Sequence, residues 1–178
     1  MVVSPQEKLT YEEWLDFPSE EGLRTELIDG EVWVAPEPTV RHQRIAGTLY
    51  VIFRTFLGEH GGGEILLPVN VRLADDQGFG PDLVFVREWG DDPLTYHGPP
   101  PLVVEVVSDE RRDLRIKRDR YERYGVPEYW AVLPGAEQVQ VFRLEGDRYD
   151  LEVFEAPRSI SPLALPGLRV DLSEVFAD

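Results

Sequence analysis

One carboxylate stands inside an apolar run. Residues 102–107 read Leu-Val-Val-Glu-Val-Val, with Glu105 as the only charge. An ionised carboxylate in a buried strand is strongly unfavourable unless it faces a basic side chain or a metal ion. A second carboxylate, Asp82, follows Pro81 and opens the short apolar run Leu83-Val84-Phe85-Val86. Alone, a Pro-Asp pair ahead of a strand is an ordinary turn. Two carboxylates at the ends of short apolar strands are a stronger signal, because oxygen ligands of this kind suit Mg2+ or Mn2+. Lys117 is the third residue of interest. In the segment 111–124, positions 114, 117, 121 and 124 share one helical face, and Leu114, Tyr121 and Tyr124 direct that face to the core. A lysine there points inward and needs a carboxylate or a ligand. A structural Lys117–Glu105 pair and a working site both satisfy these residues at this level. Glu26 and Glu31 flank an Asp29-Gly30 turn, and each also reads as a solvated hairpin charge.

These residues need elements to position them. Thr10-Tyr11-Glu12-Glu13 has the capping-box pattern and predicts a short helix to about Phe17, stopped by Pro18. Residues 23–35 read as a hairpin about Asp29-Gly30. Residues 39–57 carry Ile45, Leu49, Ile52, Phe53 and Phe56 at helical spacing, which predicts the longest helix. A strand is expected over 64–73, a turn cluster over 75–80, a strand over 81–86 and a Gly/Pro/Asp-rich loop over 89–101. The buried strand 102–107 follows, then the helix 111–124, closed by Gly125 and Pro127. Strands at 128–133, 137–144 and 148–154 form a meander, and a last short element covers 172–176. This order predicts an α+β (mixed α/β) domain around one sheet.

Composition bounds the rest. A chain of 178 residues fits one domain with a core of its own. The absence of cysteine excludes disulfides, a thiol nucleophile and Cys-based zinc sites. No apolar run reaches the length of a membrane helix and the N-terminus lacks a signal-peptide pattern, so a soluble cytoplasmic protein is expected. Sixteen arginines against two lysines, with 15 prolines, hint at a thermophile or a GC-rich genome. Net charge is −16, which argues against a nucleic-acid partner. The charge is uneven: residues 111–124 hold seven basic and three acidic side chains, a local +4. His60-Gly61-Gly62-Gly63 resembles a lipase oxyanion loop, but no G-x-S-x-G elbow accompanies it. His42, His60 and His97 lack metal-site spacing, and His42 is expected as a solvated residue at a helix start.

Six stretches in sequence carry a family resemblance: TELIDGE at 25–31, RHQRIAG at 41–47, PDLVFV at 81–86, LVVEVVS at 102–108, DLRIKRDRYERYGVPEYW at 113–130 and SPLALPGLRVDLSEVF at 161–176. Together they resemble the Uma2 family of restriction-endonuclease-like proteins. The resemblance implies a single PD-(D/E)XK nuclease-like domain over 1–178, with a mixed central β-sheet flanked by helices, an N-terminal hairpin and a C-terminal β-meander. Pro81-Asp82 looks like the PD element and Glu105-Val106-Val107 like the (D/E)XK element. Val107 stands where the lysine of that motif belongs, and Lys117 is the natural substitute. Glu26 looks like the additional acid of such domains, with Glu31 as the other choice. The implied catalytic set is Glu26, Asp82, Glu105 and Lys117. The implied cofactor is Mg2+ (or Mn2+), held by Asp82, Glu105 and the backbone carbonyl of Val106. The implied reaction is phosphodiester hydrolysis in DNA by a homodimer, with Arg111, Arg112, Arg115 and Arg118 as phosphate contacts. A catalytically inactive interaction module is the competing reading, favoured by the acidity and by Val107. A metal-dependent enzyme on a small phosphorylated substrate is a third.

Overall fold

The computed structural model describes residues 8–17, 24–35 and 37–177. The first helix, α1 (Tyr11–Leu15), begins as its capping box requires: the Thr10 hydroxyl accepts from the Glu13 N–H at 3.3 Å, and the Glu13 carboxylate accepts from the Thr10 N–H at 2.8 Å. Pro18 and Leu23 lie outside the described residues. Strands β1 (Arg24–Ile28) and β2 (Glu31–Ala35) form the expected hairpin. Asp29 and Gly30 take φ values of 54° and 77°, both left-handed, as a two-residue type I′ turn requires. Thr39 caps α2 (Val40–His60). Among the described residues, no helix is long and apolar enough to cross a membrane.

The sequence expectation of one strand over 64–73 is corrected. Strands β3 (Glu64–Leu66) and β4 (Asn70–Ala74) are separate and lie in different sheets. Pro68 lies between them, and a proline has no N–H to donate to a ladder. The turn expected at 75–80 is also corrected. Only its first residues turn; β5 (Gln77–Phe79) is a buried strand between β1 and β4. Gly78 reads as a turn glycine, but it serves close packing, because a Cβ there would lie 2.8 Å from the Trp14 and Tyr11 rings. The loop expected at 89–101 contains β7 (Thr95–His97), which pairs in parallel with β4.

The remaining strands are β6 (Leu83–Val86), β8 (Leu102–Val106), β9 (Glu128–Leu133), β10 (Gln138–Glu145) and β11 (Arg148–Glu155). They form a six-stranded sheet in the order β11-β10-β9-β8-β6-β3, while β2-β1-β5-β4-β7 form a second sheet. The single sheet expected from sequence is therefore two, since the N-terminal hairpin recruits β4, β5 and β7 as its own partners. A short pair, β12 (Ser159–Ile160) with β13 (Val170–Asp171), leads into the terminal helix α4 (Leu172–Val175).

The central strands are buried on both faces and sort their side chains with period two. Leu102, Val104 and Val106 pack with Phe53 of α2 and with the C-terminal tail. Val103 packs on the other side with Tyr121, Tyr129 and Phe79. Glu105 shares parity with Val103 and so faces the second sheet. Strands β8 and β9 are parallel, so the chain must cross back over the sheet between them. It does so through a π-helical segment (Arg112–Lys117) that continues as α3 (Arg118–Arg123).

The hairpin is tied to this crossover by one turn residue. The Asp29 carboxylate accepts from Gln77 Nε2 at 2.8 Å and from Arg120 Nε at 2.9 Å. Arg120 holds the Asp29 carboxyl below its ordinary value. Asp29→Ala removes both bonds and leaves a left-handed alanine. The expected loss is about 1–3 kcal/mol, read as a lower urea midpoint at unchanged slope.

Candidate active site

The six-stranded sheet frays where the chemistry-bearing residues begin. Strands β6 and β8 pair antiparallel with Leu83 opposite Val104. One step further along that register Asp82 meets Glu105, but there the ladder ends, and the Val106 N–H donates to Asp82 Oδ2 at 2.8 Å instead of to a backbone carbonyl. The carboxylate thus closes the strand end and is held in place by it. Glu26 enters from β1 in the other sheet and accepts from the Gly80 N–H at 3.1 Å. Lys117 enters from the crossover. Its Nζ lies 2.7 Å from Glu26 Oε1, 2.8 Å from Glu105 Oε1 and 3.9 Å from Asp113 Oδ1. Tyr121, one turn later, donates to Glu105 Oε1 at 2.9 Å.

All these groups are buried, as is Arg112 beside them, and among the described residues the only other buried Asp, Glu, Lys or Arg is Glu128. That residue sits on β9 and is satisfied by Trp130, Arg143 and the Leu163 N–H. In the site, Glu26, Asp82, Glu105 and Asp113 face two buried cations, Lys117 and Arg112. Burial pushes the Glu105 carboxyl up to about 8; Asp82, Glu26 and Asp113 add to the effect, and Lys117 opposes it. Burial alone would lower Lys117, but Glu105, Glu26 and Asp113 hold its ammonium above the ordinary lysine range. Burial would likewise raise Asp113, yet Lys117 and Arg112 keep it below its usual value. Burial pushes the Tyr121 hydroxyl far up, so it remains a donor. The cluster is short of positive charge.

The structure brings Glu26, Asp82, Glu105, Val106 and Lys117 together around one narrow cleft, with about 20 Å³ of free space. That is room for a single water- or ion-sized occupant. Glu31 starts β2 on the far side of the turn and does not line it. Arg111 and Arg115 are exposed, and Arg118 pairs with Asp119 at 2.7 Å. Arg112 departs from the outward-facing group: it is 6% exposed, and its Nε donates to Asp113 Oδ1 at 2.8 Å. The π-helical widening turns 112 and 113 inward together with 117, which a uniform 3.6-residue period does not anticipate.

His42 corrects another expectation. It is 7% exposed, not solvated, and its Nε2 lies 3.0 Å from Asp82 Oδ2. Its Nδ1 is buried without a hydrogen-bond partner. The cue in the sequence is spacing: His42, Ile45 and Leu49 follow at three and four residues, on the stripe that α2 turns to the core.

Among the described residues no three His, Asp or Glu side chains form a ready-made metal cage. The donor chemistry nevertheless suits a hard cation that keeps several waters. Asp82 Oδ2 is saturated by Val106 and His42, and Glu105 Oε1 by Lys117 and Tyr121, which leaves one oxygen of each carboxylate free of these bonds. Glu26 Oε2 is a buried acceptor with no hydrogen-bond partner, 4.0 Å from Arg112 Nε. The free oxygens of Asp82 and Glu105 thus fit as inner ligands, with Glu26 behind them and Val106 lining the same cleft.

Two outcomes follow from this geometry. Glu105 holds its proton more tightly when folded than when unfolded, so between about pH 4.5 and about 8 the folded state binds more protons and this group makes stability fall as pH rises. Glu105→Gln should flatten that slope in denaturation curves taken across the window. His42→Ala should weaken Mn2+ binding by roughly tenfold to a hundredfold in titration calorimetry, because it strips a donor from Asp82. His42→Gln, whose amide reaches a similar point, should restore part of the affinity. Unchanged affinity in His42→Ala would reduce this histidine to packing.

Comparisons agree with the fold. A solved structure from Anabaena variabilis ATCC 29413, described as a putative nuclease belonging to DUF820, superposes with a TM-score of 0.79 at 18% identity, covering 94% of this chain and 97% of that one. At that identity the likeness establishes the fold alone, a mixed α+β nuclease-like core. No curated protein matches the chain. The model of the family described as Uma2, putative restriction endonuclease, matches residues 10–173. Since that match takes in every residue of the cleft, the chain belongs to the Uma2 family.

Proposed function

We propose that the protein is a metal-dependent endonuclease that hydrolyses phosphodiester bonds, with DNA as its substrate. The observation that carries this reading is the placement of Lys117 Nζ 2.8 Å from Glu105 Oε1, in a cleft shared with Asp82. Val107 leaves the family's motif without its lysine, and an ammonium from the crossover supplies the missing charge beside the second motif carboxylate. The family description and the nuclease-like neighbour support the same class of chemistry.

In this reading Asp82, Glu105 and the Val106 carbonyl hold Mg2+ or Mn2+. When bound, the ion supplies Lewis-acid polarisation of a phosphate oxygen and a water of lowered pKa. The chain's own residues supply the positioning. Val106 N–H and His42 fix the Asp82 carboxylate, and Tyr121 fixes Glu105. Lys117 Nζ is a charged donor aimed at the attacking water or at the negative charge developing on the phosphate. Glu26 keeps that ammonium in place through its 2.7 Å contact. Exposed Arg111 and Arg115 offer contacts to flanking phosphates. A homodimer would carry two such sites.

The test is cleavage of labelled DNA and RNA, single-stranded and duplex, at low salt with Mg2+ or Mn2+. Metal-dependent cleavage should fall more than about a hundredfold in Asp82→Ala and in Glu105→Ala, since even outer-shell partners of a metal cost 10- to 100-fold. Mn2+ should raise the melting temperature of the parent and leave that of Asp82→Ala unmoved, because a ligand that binds only the folded state stabilises by mass action. A melting temperature indifferent to metal, together with no cleavage, would favour the inactive interaction module.

A further inference from the structure

The catalytic cleft opens beside a larger pocket. This second cavity, about 520 Å³, is bounded by α1, β1 and the residues around Pro93, and it shares Arg24, Glu26 and Gly80 with the cleft. Arg24 forms the ridge between the two: its guanidinium donates to the Gly80 carbonyl at 2.7 Å and lies 3.8 Å from Asp82 Oδ1. The pocket's rim is apolar on an otherwise acidic protein. Leu15, Phe17 and Leu94 are 46%, 44% and 69% exposed. Large apolar side chains gathered at the mouth of a cavity mark a surface meant to be covered. Asn70 adds an amide to the lining, a donor and an acceptor suited to a base edge.

We infer that an unpaired nucleic-acid strand lies across the mouth of the cleft, one base in the pocket against Phe17 and Leu94 while the adjoining phosphate faces Arg24 and Asp82. The inference rests on the nuclease reading and names its substrate class. Three observations favour a single strand over a duplex. Glu26, Asp82 and Glu105 are 3%, 7% and 4% exposed, so a phosphate must be brought up to a narrow mouth to meet an ion that they hold. A duplex presents its two backbones on a broad convex surface, whereas a single strand bends into a narrow opening. Duplex binding draws its affinity from many phosphate contacts, and a chain of net charge −16 has few to offer. Seating a base on apolar and aromatic side chains needs no net charge and tolerates any sequence. Finally, the pocket has a nucleoside's scale and adjoins the carboxylates directly, with a guanidinium at the junction to pair a phosphate.

The test compares one labelled oligonucleotide, single-stranded and annealed to its complement, on the parent and on the double variant Phe17→Ala with Leu94→Ala. Both substitutions lie at the exposed rim. The single strand should be cut with the lower KM. The double variant should raise that KM about tenfold or more, as the loss of base stacking predicts, with kcat within about twofold and the Mn2+-induced melting shift unchanged. Equal KM for duplex and single strand, or no change of KM in the variant while cleavage persists, would overturn the base pocket and leave the nuclease standing. If neither substrate is cut, the activity reading fails by itself. Anisotropy of the labelled single strand in Ca2+ then decides the pocket: weaker binding by the variant supports it, and equal or absent binding overturns it.

Discussion

An ammonium buried at Lys117 sets the terms for this fold. A lysine 2% exposed is tolerable only if carboxylates surround it, and a carboxylate as buried as Glu105 is tolerable only if a cation faces it. Each makes the other possible, yet they do not balance. Burial first, and the crowding of Asp82, Glu26 and Asp113 into the same space second, make Glu105 bind a proton far more readily than a solvated glutamate. Such crowding costs stability in a protein that only needs to fold. A carboxylate cluster short of positive charge is, however, the state in which a divalent cation binds well. The same imbalance that makes the cluster a poor core makes it a credible metal site.

Three pieces of backbone must converge on Asp82, just before β6, to build it. Strand β8 brings Glu105, strand β1 of the other sheet brings Glu26, and the crossover between β8 and β9 brings Lys117. The parallel pairing of β8 with β9 is what forces the chain across the sheet at this point. The crossover arrives as a π-helical segment, and its wider turn lets Arg112, Asp113 and Lys117 all face inward. Asp82 occupies the end of the β6–β8 ladder, where a side chain replaces a backbone acceptor. Strand ends of this kind leave carboxylates close together and open to a cleft, while the strands behind them stay apolar and rigid.

Much of the fold is legible in the residues. The hairpin follows from Asp29-Gly30, the long helix from its apolar stripe, and the meander from its turns, because each signal is local and strong. The errors are instructive for the same reason. Residues 64–73 look like one strand until Pro68 is weighed as a break, and residues 75–80 look like a turn because Gly78 and its neighbours are turn formers. In the fold that glycine sits under Tyr11 and Trp14, a contact that a sequence pattern does not contain. His42 and Arg112 were hidden by a similar limit. His42 shares the apolar stripe of its helix, but neither that stripe nor the helical period around Arg112 names the partner each one meets, Asp82 in one case and Asp113 in the other.

The sequence by itself determined which residues had to be exceptional. A charge inside Leu-Val-Val-Glu-Val-Val and a lysine on the apolar face of a basic helix are each costly alone, so the composition of their segments demanded partners before any partner was known. It could not choose the partners, since burial energy says that a charge must be met and not by what. Tertiary structure made that choice. It set Glu26 rather than Glu31 against Lys117, turned His42 onto Asp82, and faced four carboxylates with two buried cations. Glu26 and Lys117 stand 91 positions apart in the chain, and His42 and Asp82 stand 40 apart; such contacts are fixed by how two sheets and a crossover pack, and chain-local pattern carries no record of them.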